Sequence, residues 1–282
     1  MKDKKYNYII SSDLDGTLLR HEQISAENAL AIKELKERGV CFAANSGRCF
    51  GELPKAILEQ PDVRYYIWSD GAVIWDKEND SVISECCMSR EKVRRVFDIL
   101  DEYSTSSTVR RKGVSYADIN KNREELYPNY RVGKGYGWFI DRYSEKIEDF
   151  DRRVREFEDV EMICVFFSTE EEQEACRKRL EELGDFTVAS SWPENLEIFS
   201  KDAGKGSALL KLADLLGVPH ENTFAVGDSK NDMDMIVKAG VGLAMGNATD
   251  ELKAAAKKTI CHVDEHSAKY ILDNYFSIAK EK

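Results

Sequence analysis

Four short polar clusters carry residue types able to do chemistry. The most informative is Asp13-Leu14-Asp15-Gly16-Thr17-Leu18, directly after the apolar run Tyr8-Ile9-Ile10. Alternate side chains of an extended chain point the same way. Asp13 and Asp15 can therefore face one site while Leu14 faces the core, and Gly16 permits a sharp turn. Two carboxylates converging there need a cation or a shared proton, because like charges repel. Asp-Gly is also an ordinary turn dipeptide, so this stretch alone leaves open an Asp13 that merely caps a strand end.

The second cluster is Ala44-Asn45-Ser46-Gly47-Arg48, after the apolar run that starts at Val40. A small hydroxyl followed by glycine at a strand-to-helix turn offers an O–H and backbone N–H groups to a phosphate or another oxyanion. An ordinary capped turn is the alternative. The third is Gly204-Lys205-Gly206-Ser207 at a predicted helix start. Between two glycines, Lys205 can approach an anion closely and balance nearby carboxylates. The fourth is Gly227-Asp228-Ser229-Lys230-Asn231-Asp232, after Phe224-Ala225-Val226. Asp228, Asn231 and Asp232 share a face if the turn is helical. Hard oxygen ligands of this kind suit Mg²⁺.

The elements that must position these clusters alternate between strand and helix. Ser25 is a predicted N-cap for a helix over Ala26–Arg38, and Gly39 its C-terminal cap. Val40–Ala44 reads as a buried parallel strand. A short helix is predicted over Glu52–Glu59, a strand over Arg64–Trp68, and a hairpin over Ala72–Trp75 and Ser81–Cys86. The middle of the chain reads differently. It has helices over Arg90–Tyr103, Ser144–Glu156 and Glu170–Leu183, and strands near Thr108–Tyr116, Glu161–Phe167 and Phe186–Ala189. Tyr127–Tyr143, rich in aromatics and glycine, has no firm assignment, and Gly133-x-Gly135-x-Gly137 within it reads as a flexible loop. From Leu196–Phe199 onward the alternation resumes, with a helix over Gly206–Leu216, strands over Thr223–Val226 and Val241–Ala244, and helices over Asp232–Lys238, Thr249–Ala256 and Ser267–Ile278. The expected fold is α/β, a doubly wound parallel sheet (Rossmann-like) with an inserted α+β domain. The expected boundaries are 1–86 and 192–282 for the core and 87–191 for the insert.

A chain of 282 residues allows about two domains. The net charge of −11 argues against a nucleic-acid partner. An anionic substrate remains compatible, since a local cation reverses the sign at a site. No apolar run is long enough to span a bilayer, and Met1–Tyr6 holds no apolar signal region. Seven cysteines without Cys-x-x-Cys spacing read as reduced thiols, so a cytoplasmic location without a membrane partner is expected. Cys49, near the second cluster, is a candidate for oxidation. His262 and His266 read as a solvated pair, and Arg110-Arg111-Lys112 as a solvated strand edge, with substrate-anion recognition the alternative. Oligomeric state is not legible.

The four clusters, in this order, resemble the motifs of the haloacid dehalogenase superfamily. The resemblance rests on Asp13-x-Asp15-Gly16-Thr17, Ser46, Lys205 and Gly227-Asp228-x-x-Asn231-Asp232. An α+β insert between the second and third motifs resembles the cap of the Cof-type branch. The resemblance implies Asp13 as a nucleophile forming an aspartyl-phosphate, and Asp15 as general acid and then base. It implies phosphate binding by Ser46, Gly47, Lys205 and Asn231. It also implies Mg²⁺ held by the Asp13 carboxylate, the Asp15 backbone carbonyl and Asp228, with Asp232 in support. Arg48 is a candidate to face the cap. Asp70-Gly71-Ala72 stands where many relatives have Asn-Gly-Ala, so Asp70 would add negative charge if it faces the site. Val263–Ala268 departs from the family's polar stretch and is expected to lie away from the chemistry. The implied activity is a Mg²⁺-dependent phosphatase of small phosphorylated metabolites, such as sugar phosphates or phosphorylated cofactors. A phosphomutase and a non-enzymatic regulator are the alternatives.

Overall fold

The computed structural model describes residues 6–277. Met1–Lys5 and the end of the predicted helix at Ile278 lie outside the described residues. The chain forms two units. One comprises the chain up to Ser46, Leu53–Ser84 and the chain from Gly204 onward; the other comprises Gly47–Glu52 and Glu85–Ala203.

The first unit is built on an eight-stranded sheet. Its order is Lys258–Thr259, Val241–Ala244, Thr223–Gly227, Tyr8–Ser12, Val40–Asn45, Tyr65–Trp68, Val73–Asp76 and Ser81–Glu85. The strands from Lys258–Thr259 through Tyr65–Trp68 pair in parallel, and Val73–Asp76 runs antiparallel. The parallel strands are apolar runs because helices cover both faces of such a sheet. Val40–Asn45 is buried at all six positions. Tyr8–Ser12 lies between Val40–Asn45 and Thr223–Gly227, so the strand order reverses at its end. Open α/β sheets bind ligands at that kind of switch point. Ser25 caps the Ala26–Glu37 helix as expected, accepting the Asn28 N–H.

The second unit is built on a six-stranded sheet, ordered Ser144–Ile147, Val114–Asp118, Thr105–Arg111, Val160–Phe167, Asn195–Ser200 and Phe186–Ala189. Alternation decides its faces. Val109, Ile163, Val165 and Ile198 join an apolar core with Val93 and Phe97 of the Arg90–Leu100 helix. The opposite face carries Thr108, Arg110, Cys164 and Glu197.

Several expectations are corrected here. Leu196–Phe199 was expected in the parallel core, but Asn195–Ser200 pairs antiparallel with Val160–Phe167 in the second sheet. An apolar strand carries no label for the sheet it will join. The insert is therefore longer than 87–191, and it also takes in Gly47–Glu52. Thr108–Tyr116 is a hairpin of Thr105–Arg111 and Val114–Asp118, turning at Gly113 with φ +74°. Ser144–Glu156 is not one helix. Ser144–Ile147 pairs in parallel with Val114–Asp118, and a short helix follows over Phe150–Val154. Gly135 and Gly137 sit inside a helix, Lys134–Tyr143, not in a loop. The predicted Glu52–Glu59 helix shrinks to Lys55–Leu58.

Candidate active site

Asp13 follows the last residue of the Tyr8–Ser12 strand, and its N–H donates to the Val226 carbonyl at 3.0 Å. This ties the first acid to the strand that leads into Asp228. The chain then folds back, and Leu14 is fully buried while Asp15 is exposed. Gly16 has φ +80°, and a Cβ there would collide with the Asp228 carboxylate. A side chain at 16 would therefore separate the two strand ends.

Lys205 lies at the start of the Lys205–Leu216 helix with its side chain fully buried. Its Nζ donates to Asp13 Oδ1 at 2.8 Å and to Asp232 Oδ1 at 2.7 Å. The other oxygen of Asp232 accepts the N–H groups of Asp228 and Ser229 at 2.9 and 3.1 Å, half of a capping box with Ser229. Asp232 thus accepts three protein hydrogen bonds, and a Cβ on Gly227 would collide with its carboxylate.

Asp13, Asp228 and Asp232 each offer one oxygen within 4.8 Å of the others. Asp15 lies outside that group; its expected contribution is a backbone carbonyl. Charge in this cluster is unbalanced. Burial, then Asp232, hold the Asp13 carboxyl well above the ordinary carboxylate range, against the pull of Lys205. Burial, reinforced by Asp232 and Asp15, pushes Asp228 up to about 7. Burial opposes the Lys205 charge, but Asp13, Asp232 and Asp70 outweigh it and hold the ammonium well above its usual value. Asp228 Oδ1 is shielded from solvent and has no hydrogen-bond partner. A buried oxygen left unpaired is costly. A hard divalent cation, which takes carboxylate oxygens, fits this orphan and the excess negative charge.

Asp70 faces this site. Ser69 and Asp70 both adopt left-handed backbone, φ +48° and +49°, a conformation that costs of order 1–3 kcal/mol each. The turn puts Asp70 Oδ1 3.3 Å from Asn231 Nδ2, and the Asp70 N–H donates to the Ser46 carbonyl at 3.2 Å. Asn231 also accepts from Ser229 Oγ at 2.7 Å. Ser46 is buried, and its N–H donates to the Ile67 carbonyl at 2.9 Å. Gly47 and Arg48 belong to the second unit. There Arg48 donates to the Glu52 carbonyl at 2.8 Å and stacks over the Phe139 ring, 5.1 Å from its centroid.

Three residues were not singled out by the sequence. Asn247 donates to the Gly16 carbonyl at 2.9 Å and to Asp228 Oδ2 at 3.3 Å, so it aims the Asp228 carboxylate. Its own oxygen accepts the Val263 N–H at 3.0 Å. The Val263–Ala268 loop, expected to be remote, is therefore two hydrogen bonds from Asp228. Asp234 accepts the Gly206 and Ser207 N–H groups at 2.8 and 3.2 Å, supplying the cap that Gly204 lacks. Asn45 donates to Ser11 Oγ and to the Lys205 carbonyl, both at 3.0 Å. For Asn45 and Asp234 the only sequence signal was closeness to a motif; Asn247 carried none.

Other expectations resolve as follows. Cys49 is fully buried, and burial followed by Glu52 pushes its thiol well up, which disfavours the thiolate that oxidation needs. Arg110 is not a solvated edge; it is 3% exposed and paired with Glu52 at 3.1 Å. His262 and His266 have separate partners, Asp264 and Ser25. Among the described residues no helix is long and apolar enough to cross a membrane.

A model of the haloacid dehalogenase-like hydrolases matches residues 10–272. Phosphatase YwpJ of Bacillus subtilis is 31% identical, over 94% of this chain and 98% of its own length. Another B. subtilis protein, 5-amino-6-(5-phospho-D-ribitylamino)uracil phosphatase YcsE, is 29% identical over 88% of this chain and 87% of its own. The solved structure of a haloacid dehalogenase-like hydrolase from B. subtilis matches with a TM-score of 0.82 at 29% identity, covering 95% of this chain and 99% of that one. The chain therefore belongs to the haloacid dehalogenase-like hydrolases and is an enzyme of their phosphoric monoester hydrolase group.

Proposed function

We propose that this protein is a Mg²⁺-dependent phosphatase that hydrolyses small phosphorylated metabolites through an aspartyl-phosphate at Asp13. The observation that carries this reading is the meeting of buried Asp13 and Asp232, both bonded to Lys205, with half-buried Asp228, whose Oδ1 is left without a partner. Phosphoryl transfer depends mostly on positioning and charge stabilisation, which suits a site of fixed charges.

In the first step an Asp13 oxygen bonds to phosphorus while the bond to the leaving oxygen breaks. Asp15, the more exposed acid, gives its proton to that oxygen. In the second step water attacks the phosphorus, Asp15 takes its proton, and Asp13 is restored as inorganic phosphate leaves. Lys205 keeps a positive charge beside Asp13 throughout. Ser46, the Gly47 N–H and Asn231 offer donors to the phosphoryl oxygens. Asp13, the Asp15 carbonyl and Asp228 would hold Mg²⁺, with Asp232 in support; bound there, it would supply charge neutralisation that lets an anionic nucleophile meet an anionic ester.

The substrate class follows the relatives. Three B. subtilis relatives are named 5-amino-6-(5-phospho-D-ribitylamino)uracil phosphatases, at 29%, 27% and 27% identity. This supports a polyol-phosphate or phosphorylated cofactor precursor as substrate. Residues of the second unit, 85–203, are the proposed source of selectivity.

The test is phosphate release from a panel of sugar phosphates, nucleotides and phosphorylated cofactors, with and without Mg²⁺. The wild type should release phosphate only with the metal, and Asp13→Asn should not. Release by Asp13→Asn at the wild-type rate, or an isomerised phosphoester in place of phosphate, would sink the reading.

A further inference from the structure

Within the first unit, the Ser69–Gly71 turn adopts left-handed backbone at three successive residues, with φ of +48°, +49° and +92°. Two contacts pin it. The Asp70 N–H donates to the Ser46 carbonyl at 3.2 Å. Gly71 lies so close to Gly204 that a Cβ would stand 2.2 Å from the Gly204 carbonyl oxygen. Strained backbone of this kind persists where the surroundings over-determine it. The turn therefore holds a buried carboxylate, that of Asp70, in fixed relation to the segments that carry Ser46 and Lys205.

That carboxylate meets the Asn231 amide, with Nδ2 donating to Asp70 Oδ1 at 3.3 Å. At the other end of the amide, Asn231 Oδ1 accepts from Ser229 Oγ at 2.7 Å. The Ser229 hydroxyl itself accepts the Asp232 N–H as a helix cap, so its own proton is directed to the amide oxygen. A hydroxyl can rotate to serve either end of an amide, but a carboxylate only accepts. Asp70 thus settles which end of Asn231 faces it. We propose that Asp70 is a positioning residue for phosphoryl binding: its carboxylate fixes the Asn231 amide in one orientation and leaves the second N–H of that amide for a phosphoryl oxygen. This rests on the assignment of Asn231 to phosphoryl binding made above. The charge of Asp70 also repels an anion, but that effect does not pass through Asn231.

The experiment is a double-mutant cycle between Asp70→Gly and Asn231→Ala in the full chain, read as Kd for inorganic phosphate by calorimetry in Mg²⁺. Glycine takes left-handed backbone without steric cost and keeps the N–H to Ser46, so the carboxylate alone is lost. In Asn231→Ala, where no amide is left to position, Asp70→Gly changes Kd only through the lost charge. With Asn231 present, the same substitution should act about fivefold less favourably on Kd than that. Asp70→Asn keeps the side-chain shape and one acceptor. It should give a coupling of the same sign but smaller, and it carries the test if Asp70→Gly does not fold. Equal factors in the two backgrounds are what charge alone, or a merely structural role, would produce, and they would overturn the proposal. Asn231→Ala that binds phosphate as tightly as wild type would instead refute the role of Asn231, and the proposal with it. A wild type that binds no phosphate would refute the phosphoryl site itself.

Discussion

Each unit buries charge, and the two clusters differ in balance. In the second unit Glu52 and Arg110 are 1% and 3% exposed, one charge against the other, and backbone groups of Gly47 and Cys49 take up further hydrogen bonds. In the first unit Asp13 and Asp232 share the ammonium of Lys205, Asp228 stands beside them, and one of its oxygens is left unpaired. A buried ion pair that satisfies itself is a structural joint, with little net gain over an apolar substitute. A cluster in which acids outnumber the cation suits a bound hard cation. The difference separates a clamp from a reaction site using the same kinds of side chain.

The two clusters should therefore break differently. Lys205→Met leaves the acids of the first unit facing one another and should cost on the order of 3–5 kcal/mol in unfolding free energy. Glu52→Gln, which strands Arg110, should cost a similar amount. Mg²⁺ discriminates between them. It should narrow the gap between Lys205→Met and wild type, because it brings charge to the same acids, and leave the gap for Glu52→Gln unchanged. Thermal unfolding of both variants in Mg²⁺ and in EDTA reads this directly. A gap that responds to Mg²⁺ in both, or in neither, would erase the contrast.

A smaller effect sharpens the picture of how the surplus is held. Asn247→Ala removes the amide that aims Asp228 while leaving every acid in place. Loss of such an outer partner typically costs 10- to 100-fold in metal affinity or activity. The Mg²⁺ concentration for half-maximal phosphate release should rise by about that factor, with little change in Tm.

The smallest effect comes from a balanced pair that lies in the first unit. Arg64 meets Asp76 through two hydrogen bonds, at 2.8 and 2.7 Å. Burial would raise the Asp76 carboxyl, but the hydrogen bonds and charge of Arg64 outweigh it and the value is lowered. A lowered carboxylate contributes fully above its unfolded value of about 3.9 and loses that contribution as the pH falls through the folded value. Asp76→Asn should therefore cost about 1–2 kcal/mol near neutral pH, and the difference should shrink as the pH falls through the lowered folded value. A Mg²⁺ dependence of this difference would show that balance is not what separates the clusters.

The candidate active site was more legible in the sequence than the Glu52–Arg110 pair, for a physical reason. Asp13 and Asp228 each stand at the end of an apolar parallel strand, and Lys205 stands between glycines at a helix start, so local pattern places all three. Arg110 carries no such mark. Its burial is decided by Glu52, 58 residues earlier, and three consecutive cations read as a solvated edge. Asn247 is likewise defined by Gly16, 231 residues away. The Ser144–Ile147 strand was read as helix because its polar residues favour one. Pairing with Val114–Asp118, including a contact between the Ser115 and Ser144 hydroxyls, overrides that preference.

The central claim is covalent chemistry at Asp13. The most direct test mixes the protein with substrate and Mg²⁺, quenches within milliseconds in acid, and maps phosphoryl adducts by peptide mass. The account predicts a transient phosphoryl group on the peptide bearing Asp13, absent without Mg²⁺ and absent in Asp13→Asn. Phosphate release that proceeds with no adduct at any time point, and that survives Asp13→Asn, would contradict it.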